Sequence, residues 1–146
     1  MAIDAATLGD IHEIEQAIIA IARAMDDHDW NAILAILADD AVADMGSGRL
    51  ENPGAIIDIM RHYLERCGTT QHLIGNIVVT VNGDQATSLA YVHDSHLPPG
   101  DAPGAIFYTL GDYHDRWERQ GGRWRMVERL KRNRASVGSL RDVFGL

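Results

Sequence analysis

The chain has 146 residues, a net charge of −8 at pH 7, 46% hydrophobic and 23% charged residues. That is enough for a single domain over 1–146 around one core, and the acidic balance argues against nucleic acid or an anionic membrane as a partner, since both need a basic face. Cys67 is the single cysteine, so no internal disulfide can form and nothing suggests secretion.

The N-terminus has no basic segment followed by an apolar run, and no stretch approaches the roughly 20 apolar residues of a membrane span. A cytoplasmic location is the expectation. Residues 10–25 read as a helix, because Ile11, Ile14, Ile18, Ile21 and Met25 recur at three-to-four spacing. Asp10 and Glu13 have the spacing of a capping box. "DDHDW" interrupts that helix, and "NAILAILADD" predicts a second, short one with Asp29 as its N-cap. "AVADMGSGRL" reads as a short strand and a turn. "NPGAIIDIMRHYLERCG" predicts a third helix, capped by Asn52, with Pro53 in its first turn and Gly68 ending it.

Strands follow. Residues 70–81 run into Asn82-Gly83, a hairpin signal, and 86–97 return. "PPGDAPG" is a loop. Residues 105–119 and 123–134 flank "QGG" as a second, longer hairpin. The basic residues of "RQGGRWRMVERLKRNR" alternate with apolar ones, as on a strand with one solvated face. In the tail, Leu140, Val143 and Phe144 share one face if helical, so the segment either frays or folds back, over the mouth of a cavity or onto a neighbouring subunit. Helices gathered early and antiparallel strands late predict an α+β domain. A strongly bent sheet wrapped round the helices would leave a conical pocket between the layers.

Several patterns are missing. No Gly-rich phosphate loop, no Gly-x-Ser-x-Gly and no His-Glu-x-x-His occurs. His93 and His96, three apart on a strand, face opposite ways and cannot chelate one metal together. No metal and no cofactor is expected. The acidic run "DDHD" is either a solvated helix cap or a source of one functional carboxylate. His72, in "TTQHLIGN", shares a strand face with Thr70 and Ile74. It is either a core histidine with a structural partner or, if a carboxylate reaches it, a general base.

The element order, together with "MDDHDW", "TTQHLIGN" and "WERQGGRW", resembles the SnoaL-like branch of the nuclear-transport-factor-two-like superfamily, in which scytalone dehydratase and hexachlorocyclohexane dehydrochlorinase are found. The resemblance implies a cone-shaped α+β barrel with a pocket. It places the family's catalytic aspartate on Asp26, its catalytic histidine on His72 and a leaving-group arginine on Arg129. It also implies a largely apolar, substrate-binding pocket with Tyr113, His96, Met25, Met45 and Trp30 in its lining. The dehydrochlorinase's lysine falls on Ile21 and the dehydratase's two tyrosines on Met25 and Met45, so the electrophilic groups differ. The reaction this implies is elimination by an Asp–His base, as in a dehydratase or dehydrohalogenase, or isomerisation or cyclisation through an enolate. The substrate would be an apolar, ring-bearing or polyketide-like molecule. The alternative is a non-catalytic ligand-binding or subunit domain of the same fold. Either way a homo-oligomer, dimer or trimer, is expected.

Overall fold

A computed structural model describes residues 2–146. Helix α1 spans Ala5–Asp27, and Asp4 caps it by accepting from the Thr7 amide at 2.8 Å. It starts five residues before the expected position. The expected capping box is not one, because its two carboxylates are engaged elsewhere. Asp10 accepts from Arg119 Nη2 at 2.9 Å and Trp124 Nε1 at 3.0 Å, and Glu13 from the Trp124 amide at 2.6 Å. They tether the helix to the long C-terminal hairpin. Of the five residues of the predicted apolar face, Ile14, Ile18, Ile21 and Met25 are buried and Ile11 is half-buried.

Asp29 caps α2, Trp30–Leu34, accepting from the Ala32 amide at 3.2 Å. The helix expected to continue to residue 40 stops there, and Leu37–Asp44 is strand β1. Three alanines and three aspartates fill most of this segment, a composition that does not by itself decide between helix and strand. Parallel pairing with a long strand, and burial of Ala38, Ala41 and Ala43, override the helical preference. The Asp44 side chain then accepts from the Gly46 amide at 2.8 Å, turning the chain into β2, Arg49–Leu50. Helix α3, Pro53–Leu64, is capped by Asn52 as expected. It ends at Leu64, short of Gly68, whose role is different. A Cβ there would lie 2.3 Å from the Pro98 carbonyl oxygen, so glycine permits a close chain crossing.

Four long strands follow: β3, Thr70–Asn82; β4, Gln85–His96; β5, Phe107–Gln120; and β6, Arg123–Val137. The six strands order as β2-β1-β6-β5-β4-β3, all antiparallel except β1 on β6. The outermost strands do not meet, so the expected barrel is an open, bent, mixed sheet. Its curvature has identifiable sources. Register shifts occur in β3 between Gly75 and Val78, where Asn76 has φ 49°, and twice along the β5–β6 pair. Such bulges bend a strand and increase its twist. The β5–β6 turn, Gly121-Gly122, has φ 58° and 76°, both left-handed, which glycine adopts without cost.

The concave face of the sheet is divided along its length. Near the hairpin ends it is apolar: Ala86, Trp117, Trp124 and Met126 pack against α1 and α3. Further along β4 the inward residues become polar, ending in Asp94 and His96, both buried. The helices cover the apolar half and leave a cavity over the polar half. On the convex face Leu73, Val78, Leu89, Tyr91 and Leu110 are exposed, Leu73 by 65%. This is the surface that the expected homo-oligomer would bury. Light scattering at micromolar concentration should give a multiple of the 16.1 kDa chain mass; a monomer mass would contradict the expectation.

Candidate active site

The last turn of α1 delivers Asp26 to the start of β3. Its Oδ1 accepts from His72 Nδ1 at 2.7 Å and from Thr70 Oγ1 at 2.8 Å, and its Oδ2 from the His72 amide at 3.0 Å. The His72 side chain is 4% exposed and that of Asp26 21%. Asp27 faces solvent. Burial acts to raise the Asp26 carboxyl, but the hydrogen bonds from His72 and Thr70 outweigh it and hold it below the usual carboxylate value. Asp26 is therefore ionised. A carboxylate accepting at Nδ1 fixes the proton there and leaves the other ring nitrogen, Nε2, as a bare base.

His72 lines a cavity of about 360 Å³. Met25, Met45, Met60, Tyr63, Phe107 and Phe144 form its apolar walls. The opposite wall is a polar row set by strand register: His72 pairs with Asp94, Asp94 with Thr109, and Thr109 with Ser136, and all four line the cavity. Lys131 reaches into the row from β6, donating to Asp94 Oδ2 at 2.7 Å and to Thr109 Oγ1 at 3.1 Å. Thr109 Oγ1 in turn donates to Asp94 Oδ1. His96 donates from Nδ1 to the Phe107 carbonyl at 3.2 Å, and its ring meets that of His72 edge-on at 5.7 Å. His93, on the opposite face, lies against Tyr108.

Met25, Met45, His96 and Tyr113 line the cavity. Burial pushes the Tyr113 hydroxyl well above its ordinary pKa, so it stays protonated. Arg129 is not in the cavity wall. Cross-strand register sets it against Asp115, which binds Nε at 2.8 Å and Nη2 at 2.9 Å, and both residues are buried. Its guanidinium carbon lies 3.7 Å from the centre of the Tyr113 ring, supporting that ring from behind. Trp30 is also outside, stacked on His28 at 5.3 Å and packed on the core. The cation in the cavity is Lys131, two residues beyond Arg129 and so on the same face of β6. Asp94 and Thr109 complete a group that no single segment of the sequence displays, because strand pairing assembles it.

Among the described residues, His72, Asp94 and His96 present ligand atoms within 4.8 Å of one another, a three-ligand spacing. Both Asp94 oxygens are already engaged, and the Lys131 ammonium supplies positive charge at that point. The tail also contributes. After Ser139 caps it, α4, Leu140–Phe144, folds back so that Val143 and Phe144 are buried. Phe144 packs edge-on against His96 at 5.1 Å, Tyr63 at 5.5 Å and Phe107 at 5.6 Å. Leu140 and Phe144 thus roof the cavity.

Burial is the chief cause holding the His96 pKa below its ordinary 6.5, only partly opposed by Asp94. A histidine depressed in the folded state leaves the unfolded chain binding more protons, so stability falls as pH drops below that value. Asp26, also depressed, adds a loss at more acid pH, below 3.8. Thermal melts between pH 7.5 and pH 5 should show a steeper loss for the wild type than for His96→Gln. Equal slopes would contradict the assignment.

The SnoaL-like domain family matches residues 6–130. Curated proteins yield no match. Among solved structures, a proposed aromatic ring hydroxylase from Novosphingobium aromaticivorans is 23% identical with a TM-score of 0.82, covering 92% of this chain and 96% of that one. A proposed scytalone dehydratase from the same species is 16% identical with a TM-score of 0.81, covering 91% and 89%. A hexachlorocyclohexane dehydrochlorinase of type 2 is 18% identical with a TM-score of 0.80, covering 91% and 90%. At these identities the likeness shows a shared fold, and with the family match over most of its length the chain belongs to the SnoaL-like domain family.

Proposed function

We propose that this protein is an enzyme that removes a carbon-bound proton from a largely apolar, ring-bearing substrate, with His72 as the general base and Asp26 as its orienting carboxylate. The observation that carries the reading is the 2.7 Å bond from His72 Nδ1 to Asp26, with the ring lining an otherwise mostly apolar cavity. The base would take the proton at Nε2, and Asp26 would stabilise the imidazolium that forms. Only protons and a leaving group move, so the reaction requires no electron carrier. Elimination of water or a halide, and isomerisation through an enolate, share this first step. Structural neighbours described as a dehydratase and a dehydrochlorinase favour elimination. The alternative, a domain that binds the same ligand without acting on it, would have little use for a half-buried carboxylate behind the histidine.

A thermal-shift screen of ring ketones and hydroxy-ketones should find a ligand, which at a hundred times its dissociation constant adds about 2.7 kcal/mol of stability. Proton exchange into that ligand in heavy water, followed by NMR, reads the base directly. His72→Ala should abolish exchange while ligand binding persists. Asp26→Asn should slow it by on the order of a hundredfold or more, through loss of tautomer control. Undiminished exchange in His72→Ala would overturn the base role.

The α4 roof makes a separate prediction. Excluding water strengthens the electrostatic interactions beneath it. Deleting residues 139–146 should leave the circular dichroism spectrum intact and weaken ligand binding at least about fivefold, given the loss of the Phe144 wall. Unchanged affinity would show that the roof plays no part.

A further inference from the structure

We propose that Lys131 is the group that holds the substrate's oxygen, and that the substrate is accordingly an uncharged carbonyl compound with an acidic hydrogen on the carbon next to the carbonyl. This rests on the reading of His72 as the base and adds the electrophile to it. An ammonium has three N–H donors. In Lys131 two of them go to Asp94 Oδ2 and Thr109 Oγ1, and the side chain is only 10% exposed. Among the described residues the third has no protein acceptor, and Lys131 lines the cavity. Thr109 commits its own proton to Asp94, so its oxygen is free to accept from the lysine. Asp94 is thus saturated, and the pair acts as a fixed mount that limits where the remaining N–H can point.

The register that builds the mount also sets its distance from the base. Asp94 lies directly opposite His72 in the β3–β4 ladder, with a carboxylate oxygen within 4.8 Å of a His72 ring nitrogen. Lys131 sits on the far side of that carboxylate. A ligand bridging His72 and Lys131 must place a C–H at one end and an oxygen acceptor close to it at the other, as a carbonyl and its neighbouring carbon do. Charge narrows the class further. The carboxylates at the site are Asp26 and Asp94, against the single ammonium of Lys131. A carboxylate or phosphate substrate would add to that surplus in a low-dielectric space, whereas a neutral carbonyl acquires negative charge only as the proton leaves. A halocarbon without oxygen would leave the third N–H buried and unpaired, which carries a desolvation cost.

The step balances without a co-reactant. His72 Nε2 takes the proton, the C–H electron pair becomes the carbon–carbon double bond of the enolate, and the charge moves to the oxygen held by Lys131. Where a hydroxyl stands on the next carbon, it departs as the enolate collapses and takes the proton from His72 to leave as water. Where none does but a carbon–carbon double bond is conjugated with the enolate, return of that proton to the far carbon of the dienolate gives an isomer.

The test uses 2-tetralone and tetralin, which share a ring skeleton and differ by the carbonyl. Binding is followed by NMR titration and exchange at the carbon beside the carbonyl in heavy water. The wild-type protein should prefer the ketone about tenfold or more and catalyse its exchange. Lys131→Met should lower the preference to threefold or less and slow exchange at least tenfold, while tetralin binding stays unchanged. Should that variant not fold, because Asp94 is left unpaired, the double variant Lys131→Met/Asp94→Asn removes both charges and carries the same expectation. His72→Ala should lose exchange and keep the preference for the ketone. Exchange and ketone preference both retained without the ammonium would overturn the Lys131 assignment, even with the base intact. Equal wild-type affinity for the two ligands would overturn the carbonyl class. A Lys131-dependent preference with no wild-type exchange would support the oxygen site and overturn the base reading on which it was built.

Discussion

One carboxylate joins the helical layer to the sheet at the point where chemistry is possible. Asp26 sits at the end of α1 and accepts three hydrogen bonds from Thr70 and His72 at the start of β3. One of those donors is the main-chain amide of an edge strand, which has no neighbour on that side of the sheet. The bond therefore does two things at once. It anchors the helix C-terminus to a strand that would otherwise be open, and it sets the ring of the next side chain. A half-buried acceptor satisfied this fully is stable as the anion, and an anion at Nδ1 makes the other ring nitrogen basic.

The cavity follows from the same layering. Helices α1 and α3 have enough apolar surface to cover the half of the sheet that carries Trp117, Trp124 and Met126. The bulges turn the other half away from them. There the inward positions carry His72, which Asp26 of α1 holds, and Asp94, Thr109 and Lys131, which satisfy one another. A polar network of this kind stays buried only when its members are paired. Deeper in, Arg129 and Asp115 form a closed pair of their own beneath Tyr113. The two adjacent cations of β6 thus have different tasks: one is consumed in supporting the wall, the other keeps a donor for the cavity.

Much of this was legible in the residues. The isoleucine spacing of α1, the caps at Asp29 and Asn52 and the two late hairpins were visible as local patterns, because caps and turns are decided within a few residues. Three features were not. The segment 37–44 has a composition that fits helix or strand, and only its partner β6 decides. Asp10 and Glu13 look like a capping box until the Trp124 hairpin, more than a hundred residues away, claims them. Arg129 and Lys131 are on the same strand face, so alternation cannot rank them; the position of Asp115 opposite Arg129 does so. Asp26 and His72 themselves came from the resemblance to relatives. Spacing allowed their pairing without requiring it, since they lie 46 positions apart with two helices and two strands between them.

The base role of His72 depends on which of its ring nitrogens carries the proton. Long-range proton–nitrogen NMR of the protein labelled with ¹⁵N-histidine reports this directly for the neutral ring. The account predicts a proton on Nδ1, strongly deshielded by its bond to Asp26, and a bare Nε2; in Asp26→Asn the deshielded signal should vanish. A neutral His72 with its proton on Nε2 in the wild-type protein would leave no base facing the cavity and would contradict the account.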